Sequence, residues 1–529
     1  MSKIAQYLNE HLLGSVTGLA SQRANFASDS SILEVTPELV VYPKATSDVR
    51  KAARFSWQLA EKGHVLSMTA RGLGQDTTGG AIGPGLLIDM SKYLQSVIYV
   101  SPAKDKNKVL HAQAGATLRT LHEALKWHGL TVSAYSSDMP DMTIGGAIAG
   151  GVVTYRSGKY GTIADAVDRM EVVLANGDLM EVGRVNKREV NRKQGEQTLE
   201  GEIYRQIDGL IEENSELISK LSSEYDSIGY RIDQVKNKDG SIDLTPLFIG
   251  SQGTLGIISE VALKLGFYSD EESAIAVPCV SYDDARDVAD ILRQFDPASL
   301  LMIDNEYFVA ARTRGKKFVF SDDDKDDVAV VYASFDDFSD KARDRKLKKV
   351  LKALAKRDTL MYSTQDHRLD ELEAIRDVEQ AIETPLRADE TYVAICDGAH
   401  IPAERLREFM AEVVTLAETN SVKLPLKVDM LTGVVGTKTT LSLKKVSDKQ
   451  KAFKLASGYA DLVYKYDGSS AGGQAEGRLG AFAAYPQIDK DILELNEKIR
   501  YIFDPYKTLN PGVKQQADVK SLAKLLKSA

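Results

Sequence analysis

Residues 69–80, TARGLGQDTTGG, gather four glycines, one arginine and one aspartate behind the apolar run 64–70. Glycine admits positive φ and lets a backbone come close to a ligand. Successive exposed N–H groups in such a turn form a concavity that suits a phosphate or pyrophosphate. No Gly-Lys-Ser/Thr closes the loop, so it is not a P-loop, and it does not open a helix as a GxGxxG fingerprint does. Taken alone, a loop of this kind is more often a tight turn than a ligand cradle. Further glycine-rich stretches lie downstream at 140–151 (PDMTIGGAIAGG), 157–161 (SGKYG), 250–258 (GSQGTLGII) and 509–512 (LNPG).

Elements able to position these loops are legible around them. Residues 40–42 read as a strand ending at Pro43, and Thr46 or Ser47 can cap a helix running to Gly63. Residues 86–88 and 109–114 read as strands, and 117–128 as a helix with Leu118, Leu121 and Leu125 inward, stopped by Gly129. Asn176-Gly177 between apolar runs signals a two-residue hairpin. Residues 184–245 are charged and mostly helical, with Ile203, Ile207, Leu210 and Ile211 on one stripe, and read as an excursion on the domain surface. From about 270 to 466 strands alternate with helices and no glycine loop intervenes, which predicts an α+β domain of ferredoxin-like kind. The acidic run 321–327 is a solvated loop.

The chain has 529 residues, enough for more than one domain, and its net charge of −9 gives no support to nucleic-acid binding. Two cysteines, Cys279 and Cys396, exclude a disulfide framework and point to a reducing compartment. The first residues lack a secretory apolar region, and no window has the length needed to span a bilayer. The expected location is cytoplasmic. Residues 519–526, with Lys520, Lys524 and Lys527, read as a short basic amphipathic helix that can pack, stay solvated or touch a membrane surface.

In the order RGxG, TIGG, KYG, NGD, GSxGTLG, LNPG, the motifs resemble those of the vanillyl-alcohol oxidase-type flavoproteins, over nearly the whole chain. The fold class this implies is α+β: a PCMH-type FAD-binding domain of two α/β subdomains with an inserted ferredoxin-like α+β cap. The expected division is 1–268 for the FAD domain (184–245 its helical excursion), 269–466 for the cap, and 467–529 for a segment returning to the flavin. The resemblance implies that Arg71, Gly72, Leu73, Gly74, Gln75 and Asp76 wrap the FAD pyrophosphate. Pro140, Thr143, Gly145, Gly146, Lys159, Tyr160 and Gly161 are expected on the isoalloxazine and ribityl side. Gly253, Thr254, Gly256, Ile257 and Ile258 finish the bed, with Asn510 in the tail. Some relatives tether the flavin through a histidine where this chain has Gln75, so the FAD is expected to be non-covalent. The physical reading agrees: backbone N–H groups can hold two phosphates without a dedicated lysine, and the flavin carries the hydride chemistry.

Within the family, 250–261, LNPG and GYRIDQV (229–235) look most like the D-lactate and 2-hydroxy-acid dehydrogenase branch, the glycolate oxidase subunit type. That branch holds the substrate carboxylate with an arginine after a Leu-Trp pair; ELEAIR (371–376) aligns with it, with Glu373 in place of the Trp. Arg376 is then the candidate carboxylate ligand, or equally a surface arginine on a charged helix. The branch's His-x-x-Asp-Gly-Asn-x-His motif has no histidine here, so no metal is expected. Its Ser-Gly-Glu-His-Gly motif reads Ala471-Gly472-Gly473-Gln474-Ala475-Glu476-Gly477-Arg478, and Gln474 cannot accept a proton near neutral pH. Glu476 is the nearest carboxylate and Arg478 the nearest cation, with Tyr464 and Tyr466 as weaker candidates. The expectation is an FAD-linked oxidoreductase for an alcohol or 2-hydroxy acid, with a small-molecule substrate and an unidentified electron acceptor. A flavin reductase or epimerase of a sugar-lipid or other apolar substrate, and an inactive flavin-binding module, are the alternatives.

Overall fold

The computed structural model describes residues 3–101, 108–132, 135, 139, 141–221, 226, 228–267, 269, 271–320, 327–357, 360–383, 390–394 and 398–527. Pro140, Cys396 and all but the last residue of the acidic run 321–327 lie outside them.

A four-stranded sheet places Ser15–Thr17, Leu39–Tyr42, Leu86–Asp89 and Met68–Arg71 side by side in that order. The last three are parallel, which requires a crossover, and the helix Thr46–Glu61 supplies it by burying Val49, Ala52, Ala53 and Ala60. Its cap is Ala45 rather than Thr46 or Ser47. The Asp48 carboxylate accepts instead from the N–H groups of Leu13 at 2.8 Å and of Gly14 and Lys44 at 2.9 Å, so it ties the N-terminal segment to the helix start.

A second, antiparallel sheet is built on the long strand Ile257–Phe267, with Val109–Gln113 and Val167–Val173 on its two sides. Val167–Val173 turns at Asn176-Gly177, where Gly177 has φ 83°, into Leu179–Val182. The helix Leu118–Leu125 is capped by the Thr117 hydroxyl and, after a short 3-10 turn, stops at Gly129 with φ 63°. Residues 184–245 are not a surface excursion. Ile203, Tyr204 and Ile207 are fully buried in the same core as this sheet, and their helix Leu199–Glu213 packs against Lys490–Phe503. Two isoleucines buried this way contribute roughly 2 kcal/mol each, which a solvated appendage would forgo.

The cap is one eight-stranded sheet, ordered Tyr362–Ser363, Ser273–Cys279, Ala329–Phe335, Ser299–Asp304, Leu426–Asp429, Val434–Leu441 and Thr391–Ala394, with Ala399–His400 also paired to Val434–Leu441. Numbered along the chain, the first four strands run 4-1-3-2, the ferredoxin-like order. The next unit repeats the pattern in part, so the expected ferredoxin-like domain is two such units sharing a sheet. Tyr282–Arg293, Asp340–Leu354, Leu406–Thr419 and Val446–Lys465 bury one face through Val288, Leu347, Phe409 and Tyr459 among others. Asn305–Thr313, Leu369–Arg376 and Val378–Ile382 cover the other through Phe308, Leu372 and Val378.

The returning segment joins both parts. Leu509 extends the first sheet, with Met68 N–H donating to Thr508 O at 2.7 Å and Asn510 N–H to Met68 O at 2.8 Å. Residues 473–475 run between the cap and the FAD domain, with Gly473 N–H on Gly398 O and Ala475 N–H on Gly150 O. The basic terminal helix is Val519–Ala523 only, and Leu522 and Leu526 are buried beside Ile32 and Leu33. The apolar side of this helix is therefore packed inside the protein, one of the readings its sequence pattern allows. No described helix is long and apolar enough to cross a membrane.

Candidate functional site

Loops from both FAD-domain sheets converge on one groove. Its walls bring together residues distant in sequence: Arg71–Asp76, then Thr143, Gly145 and Gly146, then Gly253 and Gly256–Ile258, and finally Gln474. Each approach needs a missing side chain. A Cβ on Gly72 would overlap the Thr143 hydroxyl, one on Gly145 would press on Ala114, and one on Gly256 would meet Val172. With glycine at these positions, backbone comes close enough to form the walls.

The first loop is held from within. Asp76 Oδ1 accepts from the N–H groups of Thr78 and Gly80 and from the Thr78 hydroxyl, all at 2.8 Å. Its Oδ2 accepts from Gln252 Nε2 at 3.0 Å. Asp76 therefore shapes the turn while lining the groove. Arg71 is largely buried, its guanidinium 5.5 Å from the Phe26 ring and its Nη1 near the carbonyls of Phe26 and Ala81. Burial lowers its pKa, opposed by Asp29, Asp89 and Asp76. Burial first, then Asp76, push the Asp29 carboxyl up to about 6. Thr143 caps Ile144–Gly150, its hydroxyl accepting from Gly146 N–H at 3.2 Å.

Several expected contacts are placed elsewhere. Lys159 and Tyr160 do not line the groove; both reach Asp336 of the cap, Lys159 Nζ at 2.9 Å and Tyr160 by donating its hydroxyl. Arg156 joins the same carboxylate at 3.1 Å and also pairs with Glu272. Gly161, at φ 82°, ends this turn against Asp165 and is likewise absent from the groove. KYG thus fastens the cap to the FAD domain. Asn510 Nδ2 donates to Gly80 O at 2.8 Å and Gln252 O at 2.7 Å while its Oδ1 accepts from Thr69, so it clamps two loops. Thr254 is buried against Ser251 O and Tyr230.

The expected substrate-side residues divide. Gln474 lines the groove and donates to the Thr77 hydroxyl. Glu476 is withdrawn: Oε1 accepts from Gly229 N–H at 2.9 Å and Tyr485 at 3.0 Å, and Oε2 lies 2.6 Å from Lys514 Nζ. A carboxylate so engaged is not placed to take a substrate proton. Arg478 donates to Gly79 O and, at 2.7 Å, to Pro511 O; burial pulls its pKa down to about 10. It joins the first loop to LNPG and meets no groove. Arg376 has a side chain 3% exposed, pairs with Asp377 at 2.7 Å and Glu373 at 3.0 Å, and stacks on Tyr155. Its guanidinium is already matched by carboxylates, which removes the expected carboxylate-binding role. Tyr464 Oη lies 3.2 Å from Ser470 Oγ, and Tyr466 donates to Glu412; neither lines the groove.

Gln252 is the residue that motif reading passed over. It adopts φ 50° and lines the groove. Its amide donates to Asp76 and Thr78 and accepts from Gly477 N–H at 2.9 Å, linking three stretches. Its position inside GSQGTLG was the available signal; its partners 176 and 225 residues away were not. Among the described residues no three His, Cys, Asp or Glu side chains converge as a metal site.

The groove is matched by comparisons with known proteins. Residues 37–183 match the FAD binding domain model, and residues 270–513 match the C-terminal domain of FAD linked oxidases. The chain is 23% identical to D-2-hydroxyglutarate dehydrogenase of Pantoea ananatis over 513 residues, 93% of this chain and 49% of that protein. It is 23% identical to D-lactate dehydrogenase of Archaeoglobus fulgidus over 480 residues, 90% of each. The chain thus spans about half the length of the first of these relatives and most of the second. Among solved structures, p-cresol methylhydroxylase with substrate bound superposes with a TM-score of 0.69 at 13% identity, covering 97% of this chain and 96% of that one. That likeness establishes the fold. Glycine-walled backbone, Asp76 bracing the loop and the absence of any lysine from the groove lining fit FAD, whose phosphates such N–H groups can hold.

Proposed function

This chain is an FAD-binding flavoprotein carrying the FAD binding domain and the FAD linked oxidase C-terminal domain, and on that premise we propose that it oxidises a D-2-hydroxy acid and passes the electrons to a second acceptor. The observation that carries the reading is the groove itself, in which three glycine-rich stretches and Gln474 meet. The substrate class is supported by the names of the relatives, D-2-hydroxyglutarate and D-lactate dehydrogenases.

FAD, when bound, supplies the hydride acceptor. The chain's part is to bind and orient the reactants. Backbone N–H groups of 71–76 would hold the pyrophosphate, and Gln75, being a glutamine, would leave the flavin non-covalent. The cap is fastened to the FAD domain through Asp336. Gln474 offers its amide to a substrate oxygen but takes no proton. The hydroxyl proton therefore passes to water, since no histidine lines the groove and Asp76 is committed to Thr78, Gly80 and Gln252.

Anaerobic titration of the purified yellow protein tests this. D-2-hydroxy acids should bleach the flavin while NAD(P)H, sugars and lipids leave it oxidised, and acid precipitation should release the flavin. Bleaching by NAD(P)H or a lipid alone would overturn the substrate class; flavin retained in the precipitate would overturn non-covalent binding.

A further inference from the structure

The first loop is braced from behind by residues 26–35, and that strap is itself held by the segment Val519–Ala523 and the four residues that follow. Ser30 N–H donates to Gly74 O at 3.1 Å, and Ala81 N–H donates to Asp29 Oδ2 at 3.3 Å. The Leu33 side chain sits where a Cβ on Gly79 would stand. Every part of the loop that bends through positive φ, at Gly74 and Gly79, is thus met by the strap.

Within itself the strap makes a Ser28–Glu34 bridge, Val35 N–H donates to Ala27 O at 2.7 Å, and Asp29 Oδ1 accepts from the Ser31 N–H and hydroxyl. The distant segment completes it. Glu34 N–H donates to Leu525 O at 2.6 Å, and Lys527 N–H donates to Ile32 O at 3.0 Å around a Leu33–Leu526 bridge. Lys527 Nζ donates to Asp29 O at 2.8 Å. Leu522 and Leu526 are buried in one cluster with Ile32, Leu33 and Ile82, the last lying just beyond the loop.

We propose that residues 518–527 are a clasp that sets how long FAD stays bound, with Leu526 and Lys527 as positioning residues acting through the strap. The inference rests on the FAD reading of the groove. A turn with several glycines has high conformational entropy when unsupported. The segment holds it in the binding shape without touching the cofactor. FAD leaves when the loop around it opens, so loss of the clasp raises the release rate, and a loop formed a tenth of the time weakens binding about tenfold.

The test compares the full chain with a chain ending at Ala517, with Leu526→Asp and with Lys527→Arg. FAD dissociation is followed by the recovery of flavin fluorescence on dilution. Amide hydrogen exchange of the loop is measured in the FAD-free proteins. The shortened chain and Leu526→Asp should release FAD roughly tenfold faster or more, and their loop amides should exchange faster. Lys527→Arg should stay close to the full chain, because the donor to Asp29 O is kept. A peptide of residues 518–529 added to the shortened chain should slow release again. Unchanged release from a folded shortened chain would overturn the clasp. So would faster release from Leu526→Asp with unaltered loop exchange. Should the shortened chain fail to fold, Leu526→Asp decides alone. A full chain that takes up no FAD would overturn the cofactor reading instead, a different outcome from a clasp that has no effect.

Discussion

Lys514 Nζ and Glu476 Oε2 lie 2.6 Å apart with side chains 1% and 0% exposed. Burial lowers the lysine's pKa, and Glu476 opposes that shift. The pair holds the returning segment to Gly229 and Tyr485. Glu476→Gln leaves the lysine charge buried without its carboxylate and should cost about 3–5 kcal/mol of stability. Thermal melts should show the loss, and the double variant with Lys514→Met should regain most of it. Protein that remains folded should keep kcat within a few-fold; a drop of roughly a hundredfold or more would restore Glu476 as a base.

Asp336 gathers three donors from one turn of the FAD domain: Arg156, Lys159 and Tyr160. Burial alone would raise its pKa, but these hydrogen bonds and charges hold it below the usual carboxylate value. A group depressed in the folded state stabilises above its unfolded pKa of about 3.9. That contribution is lost as pH falls through the lower folded value. The fastening of the cap should therefore persist from neutral pH down to about 4 and fail only in stronger acid. Asp336→Asn should remove about 3 kcal/mol at pH 7 and raise KM more than it lowers kcat. Melting curves and steady-state kinetics across pH check both.

Gly72 faces the Thr143 hydroxyl with no room for a methyl group. Gly72→Ala should push the loop off the capped turn and weaken FAD binding by tenfold or more, on the order of 1.4 kcal/mol. Thr143→Ala in the same chain should recover part of the affinity, because the colliding hydroxyl is gone. Fluorescence titration with FAD reads both.

Gln474 stands where an ionisable residue would dominate the pH profile. Wild-type kcat/KM should be flat between about pH 6 and 8, since no histidine lines the groove. Gln474→His should introduce a rising limb centred near 6.5, the ordinary imidazole value. Identical profiles for the two proteins would place Gln474 outside the reacting face. The measurement needs only initial rates in overlapping buffers.

The cofactor was legible because its recognition is local. RGLGQD, TIGG and GTLG are each read within a few residues, since glycine permits a specific close approach of backbone. The hairpin at Asn176-Gly177 and the stop at Gly129 were legible for the same reason. What each non-glycine neighbour does was not. Lys159 and Tyr160 sit in the same motif as Gly161, yet their partner is Asp336, about 176 residues on.

By itself the sequence determined the glycine loops of an FAD-binding domain, an α+β cap, and glutamines rather than ionisable residues at 75 and 474. Those are properties of residue type and order. Tertiary structure decided which charges are spent. Arg376 is matched by Asp377 and Glu373, Arg478 by carbonyls of Gly79 and Pro511, and Glu476 by Lys514. It also turned 184–245 from an apparent appendage into core, and set the terminal helix against residues 26–35. A buried charge or an amphipathic face must find a partner, but its type in the sequence does not say which one. The fold decides that, by bringing together residues hundreds of positions apart.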